Sequence, residues 1–413
     1  MRSMLALRSV KKGYVLDTHR IRPPAETLSL ARRAAPTAGI TRVAEITGLD
    51  RLGIPVFTSM RPKAVEGAVT VYNGKGFTAE EAEVSAIMEG VERFSAERGS
   101  HASIFGSLAE LSEGHIVLDP RRIILPGVRQ YSTTERLEWV KGSSLFSMGE
   151  VLVPAESVFH PYERENQLFR TNTNGLAVGN VMEEAVFHAL MEVIERDAWS
   201  LFEVNASVAR DLDLEDCMEW SGPVREVIKK LESASVEPHL KDITSDVGIT
   251  TIAAAIDDEA TRDAALLSLG VGTHLVPEIA VLRALTEAVQ SRLTTIHGTR
   301  EDTFKAEYIR RIGYERMKRI NRKWFSSSMK AVKFADLPSH QSDDFLDDIG
   351  HTLSCLGKAG LDEAIAVDLT RSGTGIPAVR VIVPGLEVYA LDKERGGQRL
   401  RAAKASAVGG EPV

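Results

Sequence analysis

Only two cysteines, Cys217 and Cys355, occur in the 413 residues, which excludes a disulfide framework and a Cys-rich zinc site. Both are read as structural thiols. The ten histidines include no HExxH pair. Positive charge is not in excess: 50 Lys and Arg stand against 58 Asp and Glu, a formal net charge of −8, which argues against a nucleic-acid or anionic-membrane surface. Long apolar runs are missing too. The first, Met4-Leu5-Ala6-Leu7, is too short for a signal-peptide core or a membrane helix and soon meets Lys11-Lys12. A cytoplasmic protein with neither membrane nor nucleic acid as partner is expected. No low-complexity linker divides the chain, and 43% hydrophobic with 26% charged residues is a globular composition.

What is present is a repeat. Shifting the chain by 103 positions (76 to 179) lays Gly76–Arg93 over Gly179–Arg196 with half of the positions identical, among them Glu81/Glu184, Glu89/Glu192, Glu92/Glu195 and Arg93/Arg196. An eroded third copy runs from Glu278 to Arg292. There Ala284-Leu285-Thr286-Glu287 matches Ala189-Leu190-Met191-Glu192, but Gln290 replaces the second carboxylate. A second duplication relates Asp242-Ile243-Thr244 to Asp368-Leu369-Thr370, each expected between a helix and an apolar strand. The spacing is too long and uneven for a solenoid, so a compact α+β domain of related helix and strand units is expected. Its boundaries are read as 1–38 for an N-terminal segment contributing to the site, 39–395 for the domain and 396–413 for a flexible tail. A peripheral insertion is expected over residues 300–339, mostly one basic helix from Phe304 to Trp324.

On a helix, Val84, Ile87, Met88 and Val91 form an apolar side, with Glu81, Ser85, Glu89 and Glu92 on an adjoining arc. In the second copy, Phe187, Leu190, Met191 and Ile194 are apolar, with Glu184, His188, Glu192 and Glu195 beside them. Thr78 with Glu81 predicts a capping box, and Asn180 with Glu183 a similar start. A carboxylate stripe is ordinarily a solvated face. Here like charges three and four residues apart, each costing about 0.2–0.5 kcal/mol, recur in both copies with few basic residues to pair with them. Carboxylates converging from two or three helices require a cation, and hard oxygen ligands select magnesium or calcium. Magnesium shared with helix N-termini in turn suggests a nucleotide triphosphate. The turn Asn73-Gly74-Lys75-Gly76 is not a Walker motif, because Val69 stands at the first Gly position and Gly76 replaces the metal-holding Ser or Thr. Lys75 can still meet a phosphate as a point charge. Trp199, Trp220 and Trp324 are read as core or interface residues rather than a platform for adenine.

Four motifs carry a resemblance. Ser85-x3-Glu89-x2-Glu92-Arg93, Asn174-Gly-Leu-Ala-Val-Gly-Asn180 leading into Glu184-x7-Glu192-x2-Glu195-Arg196-Asp197, Arg283 to Arg292, and Arg380-Val-Ile-Val-Pro-Gly-Leu-Glu387 resemble, in order and spacing, the signatures of the YcaO family. The resemblance spans roughly residues 39–387. It implies an ATP site with magnesium held by Glu89, Glu92, Glu184, Glu192 and Glu195. It implies nucleotide contacts from Ser85, Asn180, Arg196 and Arg292, with Lys75 added as a phosphate contact. Arg196 and Arg292 are expected to be catalytic. Arg20 and Thr27 are matched to a Lys/Ser pair of the same spacing near the family's N-terminus, although Arg stands where Lys is expected.

The activity implied is activation of a peptide backbone amide: a nucleophile adds to the carbon, the oxygen is phosphorylated from ATP, and phosphate leaves. Azoline-forming members usually end in a Pro-rich tail, whereas this chain ends Val408-Gly409-Gly410-Glu411-Pro412-Val413. That favours sulfide as nucleophile and a thioamide as product. The chain resembles archaeal stand-alone members that make thioglycine in the methyl-coenzyme M reductase α subunit, with a TfuA-type partner as sulfide source, and a homodimer is expected. An azoline-forming cyclodehydratase and a non-catalytic ATP-binding regulator are the alternatives.

Overall fold

The computed structural model describes residues 5–214, 216, 222–299, 305–327 and 331–408. Among the described residues, three larger antiparallel-dominated sheets each carry one long helix, and Tyr14–Val15 pairs with His19–Arg20 in a small two-stranded sheet. The first sheet runs Arg42–Glu45, Val56–Met60 and Val71–Lys75, with Val56 opposite Lys75 and Met60 opposite Val71. The second has the order Ser268–Thr273, Thr251–Asp258, Val236–Asp242, Arg210–Leu212 and Ala331–Val332, the last pair parallel. The third is ordered Ile104–Ser107, Arg136–Ser144, Ile365–Asp368, Ala378–Ile382 and Leu176–Val178, and Glu150–Pro154 also pairs with Arg136–Ser144.

The helices are α1 (Pro24–Ala34), α2 (Ala79–Ala96), α3 (Met182–Val204), α4 (Gly222–Ser233), α5 (Pro277–His297), α6 (Phe345–Lys358) and α7 (Gln398–Val408), with several shorter ones between them. The capping box at Thr78 and Glu81 forms as its sequence demands. Asn180 does not cap α3. The N-cap is Val181, without a side-chain cap, and Asn180 turns instead to Glu184 and Thr27.

The repeats share one packing device. A side chain on Gly74 would collide with the backbone of Ala82 and Ala86, and one on Gly270 with that of Ala284 and Ala288. Bare strand glycines facing helical alanines therefore let α2 and α5 press directly onto their sheets, which fixes the rotation of each helix about its axis. Phe187, Leu190, Met191 and Ile194 are sealed in one core, as the helical periodicity predicts, and Ile87 and Val91 in another. The second duplication also forms. Helix, strand, turn, strand recurs as α4, Val236–Asp242, Thr251–Asp258 and as α6, Ile365–Asp368, Ala378–Ile382, and in each turn the Asp accepts the N–H two residues on, from Thr244 at 3.0 Å and from Thr370 at 2.9 Å.

Two expectations about the periphery are corrected. The basic segment is not one helix: among the described residues it is Lys305–Ile312, Tyr314–Ile320 and Arg322–Phe325, broken at Gly313, whose φ of 89° does not continue a helix. Nor is it wholly peripheral, since Trp324 and Phe325 are buried and Ala331–Val332 extends the second sheet. Trp324 packs edge-on to Trp199 and Phe202, in line with a core reading of both tryptophans, while Phe304, Cys217 and Trp220 lie outside the described residues.

The C-terminal stretch is likewise not a loose tail over 398–408. It forms α7, whose Arg399 grips the buried Asp197 of α3 at 2.8 and 3.0 Å. Glu387 fixes its start by accepting the N–H groups of Gly397 and Leu400 at 2.7 and 2.8 Å. Among the described residues no helix is long and apolar enough to cross a membrane.

Candidate functional site

The three long helices α2, α3 and α5 present their carboxylate arcs to a single cavity of about 750 Å³. Glu89 and Glu92 enter from α2, Glu184, Glu192 and Glu195 from α3, and Glu287 from α5. The duplicated pattern thus builds a common site, because each helix is held on its own sheet with the same face inward. The first residues of the chain close one side, where Asp17, Thr18, Arg20 and Thr27 line the cavity. The helix Lys305–Ile312 closes another with Ala306 and Ile309.

Crowded acid dominates the electrostatics. Burial, reinforced by the charges of Glu192 and Glu89, pushes the Glu92 carboxyl up to about 8 despite Arg93. Glu195 is pushed up to about 7 by burial together with Glu287 and Glu192, and Glu192 is raised by burial and by Glu287. Burial opposes ionisation of Glu287 as well, but Lys75, Arg196 and Arg283 outweigh it and hold that carboxyl below its ordinary range. The cations are interleaved with the acids: Arg93 lies 3.4 Å from Glu89 and 3.3 Å from Glu92, Arg196 3.2 Å from Glu195, and Lys75 2.6 Å from Glu287.

Buried carboxyls raised in this way suit a divalent cation, since a bound ion would favour their charged form. No three His, Cys, Asp or Glu side chains among the described residues close into a ready-made metal cage. That suits magnesium, which fills its octahedron with waters and phosphate oxygens. The cations fit the other half of such a complex. Arg196 Nε and Arg283 Nε are buried and have no hydrogen-bond partner among the described residues, as a phosphate-binding pair would in the absence of phosphate.

The expected residues fall into three groups. Glu89, Glu92, Glu192, Glu195, Ser85, Lys75, Arg20, Thr27 and Arg196 all line the cavity. Glu184 and Asn180 form its hinge to the N-terminal segment. The Glu184 carboxylate accepts the backbone N–H of Ile21 at 3.1 Å and the Asn180 amide at 3.2 Å, and lies 3.5 Å from Arg20. Asn180 in turn meets Thr27 Oγ1 at 3.2 Å.

Arg292 is a correction. It points away from the cavity, fully buried, with Nε 2.6 Å from Asp50 and Nη2 2.9 Å from Asp258. The cationic residue that α5 delivers to the site is Arg283, and the acid is Glu287. The repeat contains the signal for Arg283, because it occupies in the third copy the position of Ser85 in the first and His188 in the second. His188 also lines the cavity and is kept neutral by burial and by the neighbouring Arg20 and Arg283. Of the other arginines, Arg371 donates to backbone carbonyls of Phe94 and Glu97 at the end of α2, Arg380 to the Asn172 carbonyl at 2.9 Å, and Arg42 is exposed.

A family model described as YcaO cyclodehydratase, ATP- and Mg²⁺-binding, matches residues 73–387, which include α2, α3 and α5. The chain belongs to the YcaO family. It is 49% identical over 387 residues to an uncharacterized protein of Methanothermobacter thermautotrophicus, covering 92% of this chain and 98% of that one. It is 32% identical over 400 residues to a protein in the tfuA 3′ region of Rhizobium leguminosarum bv. trifolii, covering 91% and 90%. Among solved structures, the YcaO protein of Methanopyrus kandleri bound with AMPPCP and Mg²⁺ superposes with a TM-score of 0.78 at 30% identity, covering 94% of this chain and 98% of that one. ATP and magnesium are the ligands of this family, and the acid and arginine lining of the YcaO cavity suits both.

Proposed function

We propose that this YcaO protein activates a peptide backbone amide by O-phosphorylation from ATP, with sulfide as the nucleophile, leaving a thioglycine in a protein substrate, the methyl-coenzyme M reductase α subunit. The observation that supports it most is the convergence of Glu89, Glu92, Glu192, Glu195 and Glu287 with Arg93, Arg196 and Arg283 on one cavity.

Bound magnesium would neutralise the triphosphate and stabilise charge on the transferred phosphoryl group. The rest follows from the poor leaving ability of an amide oxygen. Hydrosulfide adds to the carbonyl carbon, and the C=O π pair moves to oxygen. That oxygen takes the γ-phosphoryl group and ADP departs. The adduct then expels phosphate and loses the sulfur-bound proton, leaving C=S. Arg196 and Arg283 would hold the phosphoryl oxygens, Lys75 would orient Glu287, and Glu89, Glu92, Glu192 and Glu195 would fix the ions.

Similarity to a protein of a tfuA 3′ region supports a TfuA-type partner as the sulfide source. Action as a homodimer is part of the same proposal. The family description itself favours a second reading, azoline formation from a neighbouring Cys, Ser or Thr. Mass separates the two: incubated with ATP, Mg²⁺, sulfide and a reductase α-subunit peptide, the protein should make a product about 16 Da heavier, whereas ring closure lowers the mass by about 18 Da. ATP binding with no phosphate release from any peptide would leave a non-catalytic regulator instead.

A further inference from the structure

The strand Leu176–Val178 ends the third sheet, with Ala378–Ile382 on one side and, among the described residues, no strand on the other. Its register settles where its backbone points. Val381 donates to Gly175 and Gly179 to the Pro377 carbonyl, so the hydrogen-bonded pairs are 175/381, 177/379 and 179/377. Leu176 and Val178, at the alternate positions, direct their N–H and C=O groups out of the sheet. The Leu176 N–H turns back to the Thr173 carbonyl at 3.1 Å. The Leu176 C=O and both backbone groups of Val178 have no partner among the described residues.

These groups face the cavity. Successive strand side chains lie on opposite faces, yet Leu176, Ala177 and Val178 all line it. The cavity therefore meets the strand along its edge, within the same lining as Glu92 and Arg93. Unpaired backbone groups enclosed in a protein are rare, and in a binding cavity the ligand is their natural partner. We infer that the Leu176–Val178 edge receives the substrate as an added strand, its extended backbone pairing with the Val178 N–H and C=O and the Leu176 C=O.

This inference rests on the reading of the protein as an enzyme of peptide amides, and it supplies what that chemistry needs. A reaction at a backbone amide must fix the backbone, and strand addition does so whatever the side chains are, presenting alternate amides to the same side. A glycine target suits the arrangement, since nothing on its Cα blocks approach to the carbonyl carbon.

The test is amide hydrogen exchange at Val178 in the full chain with AMPPCP and Mg²⁺, on adding N-acetyl-hexaglycine amide or its N-methylated (sarcosine) counterpart at millimolar concentration. Hexaglycine should slow exchange at Val178 by about tenfold or more, and the sarcosine peptide, which lacks N–H donors, should not. Slowing by the nucleotide alone would assign the edge to the nucleotide and overturn the inference. An equal response to both peptides, or to neither, would overturn it as well. Because no product is measured, a missing 16 Da gain with Val178 protected would sink the thioamide reading and leave the strand edge standing. The converse pair of results would do the opposite.

Discussion

Glu92 on α2 and Glu192 on α3 line one cavity, where burial, reinforced by the charges of Glu192 and Glu89, drives the Glu92 carboxyl up to about 8. Two side chains that the chain separates by a hundred positions (92 to 192) thus share one electrostatic problem. A cation from outside would solve it, and the ligand-free and loaded states would then respond oppositely to pH.

In the ligand-free protein, Glu92 at about 8, with Glu195 and Glu81 each at about 7, binds protons in the folded state that the unfolded chain has already released. Raised carboxyl values stabilise the fold below the ordinary carboxylate range, and that contribution fades as pH rises through the folded values. The melting temperature without ligand should therefore fall between about pH 5 and about pH 8.5. Mg²⁺ with AMPPCP needs the ionised form, so its stabilising shift should be larger at about pH 8.5 than at about pH 6. Thermal melts at the two values check both; an equal shift counts against metal binding by these residues.

Glu192→Gln removes one of the repelling charges while keeping the shape. Turnover of ATP with peptide and sulfide should drop by about 100-fold or more, while the ligand-free melting temperature at about pH 8.5 should hold or rise. A phosphate-release assay beside a thermal melt reads both. A variant that unfolds would show that the carboxylate is structural.

Arg283→Ala and Arg292→Ala should separate cleanly. Loss of Arg283 should cost about 100- to 1,000-fold in turnover with little change in stability. Loss of Arg292 strips the buried Asp50 of its guanidinium partner, although Asp258 keeps Arg51 at 2.6 Å, and should destabilise the fold by roughly 3–5 kcal/mol. Urea denaturation with phosphate release distinguishes the two.

Arg399→Ala should loosen α7, because Asp197 is fully buried and then, among the described residues, keeps only the Glu387 N–H at 2.9 Å as partner. A loss of roughly 3–5 kcal/mol is expected, together with faster proteolysis within Gln398–Val408. Unchanged proteolysis would mean that the helix is held by Leu400 and Glu387 alone.

Much of the site was legible because a helix converts spacing into a face. The duplicated Glu and Arg positions needed only a period of 3.6 to mark Glu89, Glu92, Glu192, Glu195 and Arg196, and all five line the cavity. Arg292 misled for the same reason. One step along a helix is a turn of about 100°, enough to carry Arg292 from the cavity wall, where Ser291 sits, to the buried pair with Asp50 and Asp258. Its sequence neighbours could not reveal those two partners, which come from a loop and a strand far away in the chain. The tail was misjudged similarly. An Ala- and Gly-rich stretch has little pattern of its own, and α7 is held by Arg399 on Asp197 and by Glu387 at its start, contacts made only after folding.

By itself, then, the sequence determined that the repeated helices α2, α3 and α5 form, which of their faces are apolar and which acidic, because those properties reside in residues three or four apart. It also determined the family, through motifs whose order survives in one dimension. Only the tertiary structure decided that the three acidic faces meet, that Arg283 and not Arg292 joins them, and that the Leu176–Val178 edge opens beside them. Those depend on how each helix is rotated on its sheet, which for α2 and α5 is set through space by close approach at Gly74 and Gly270.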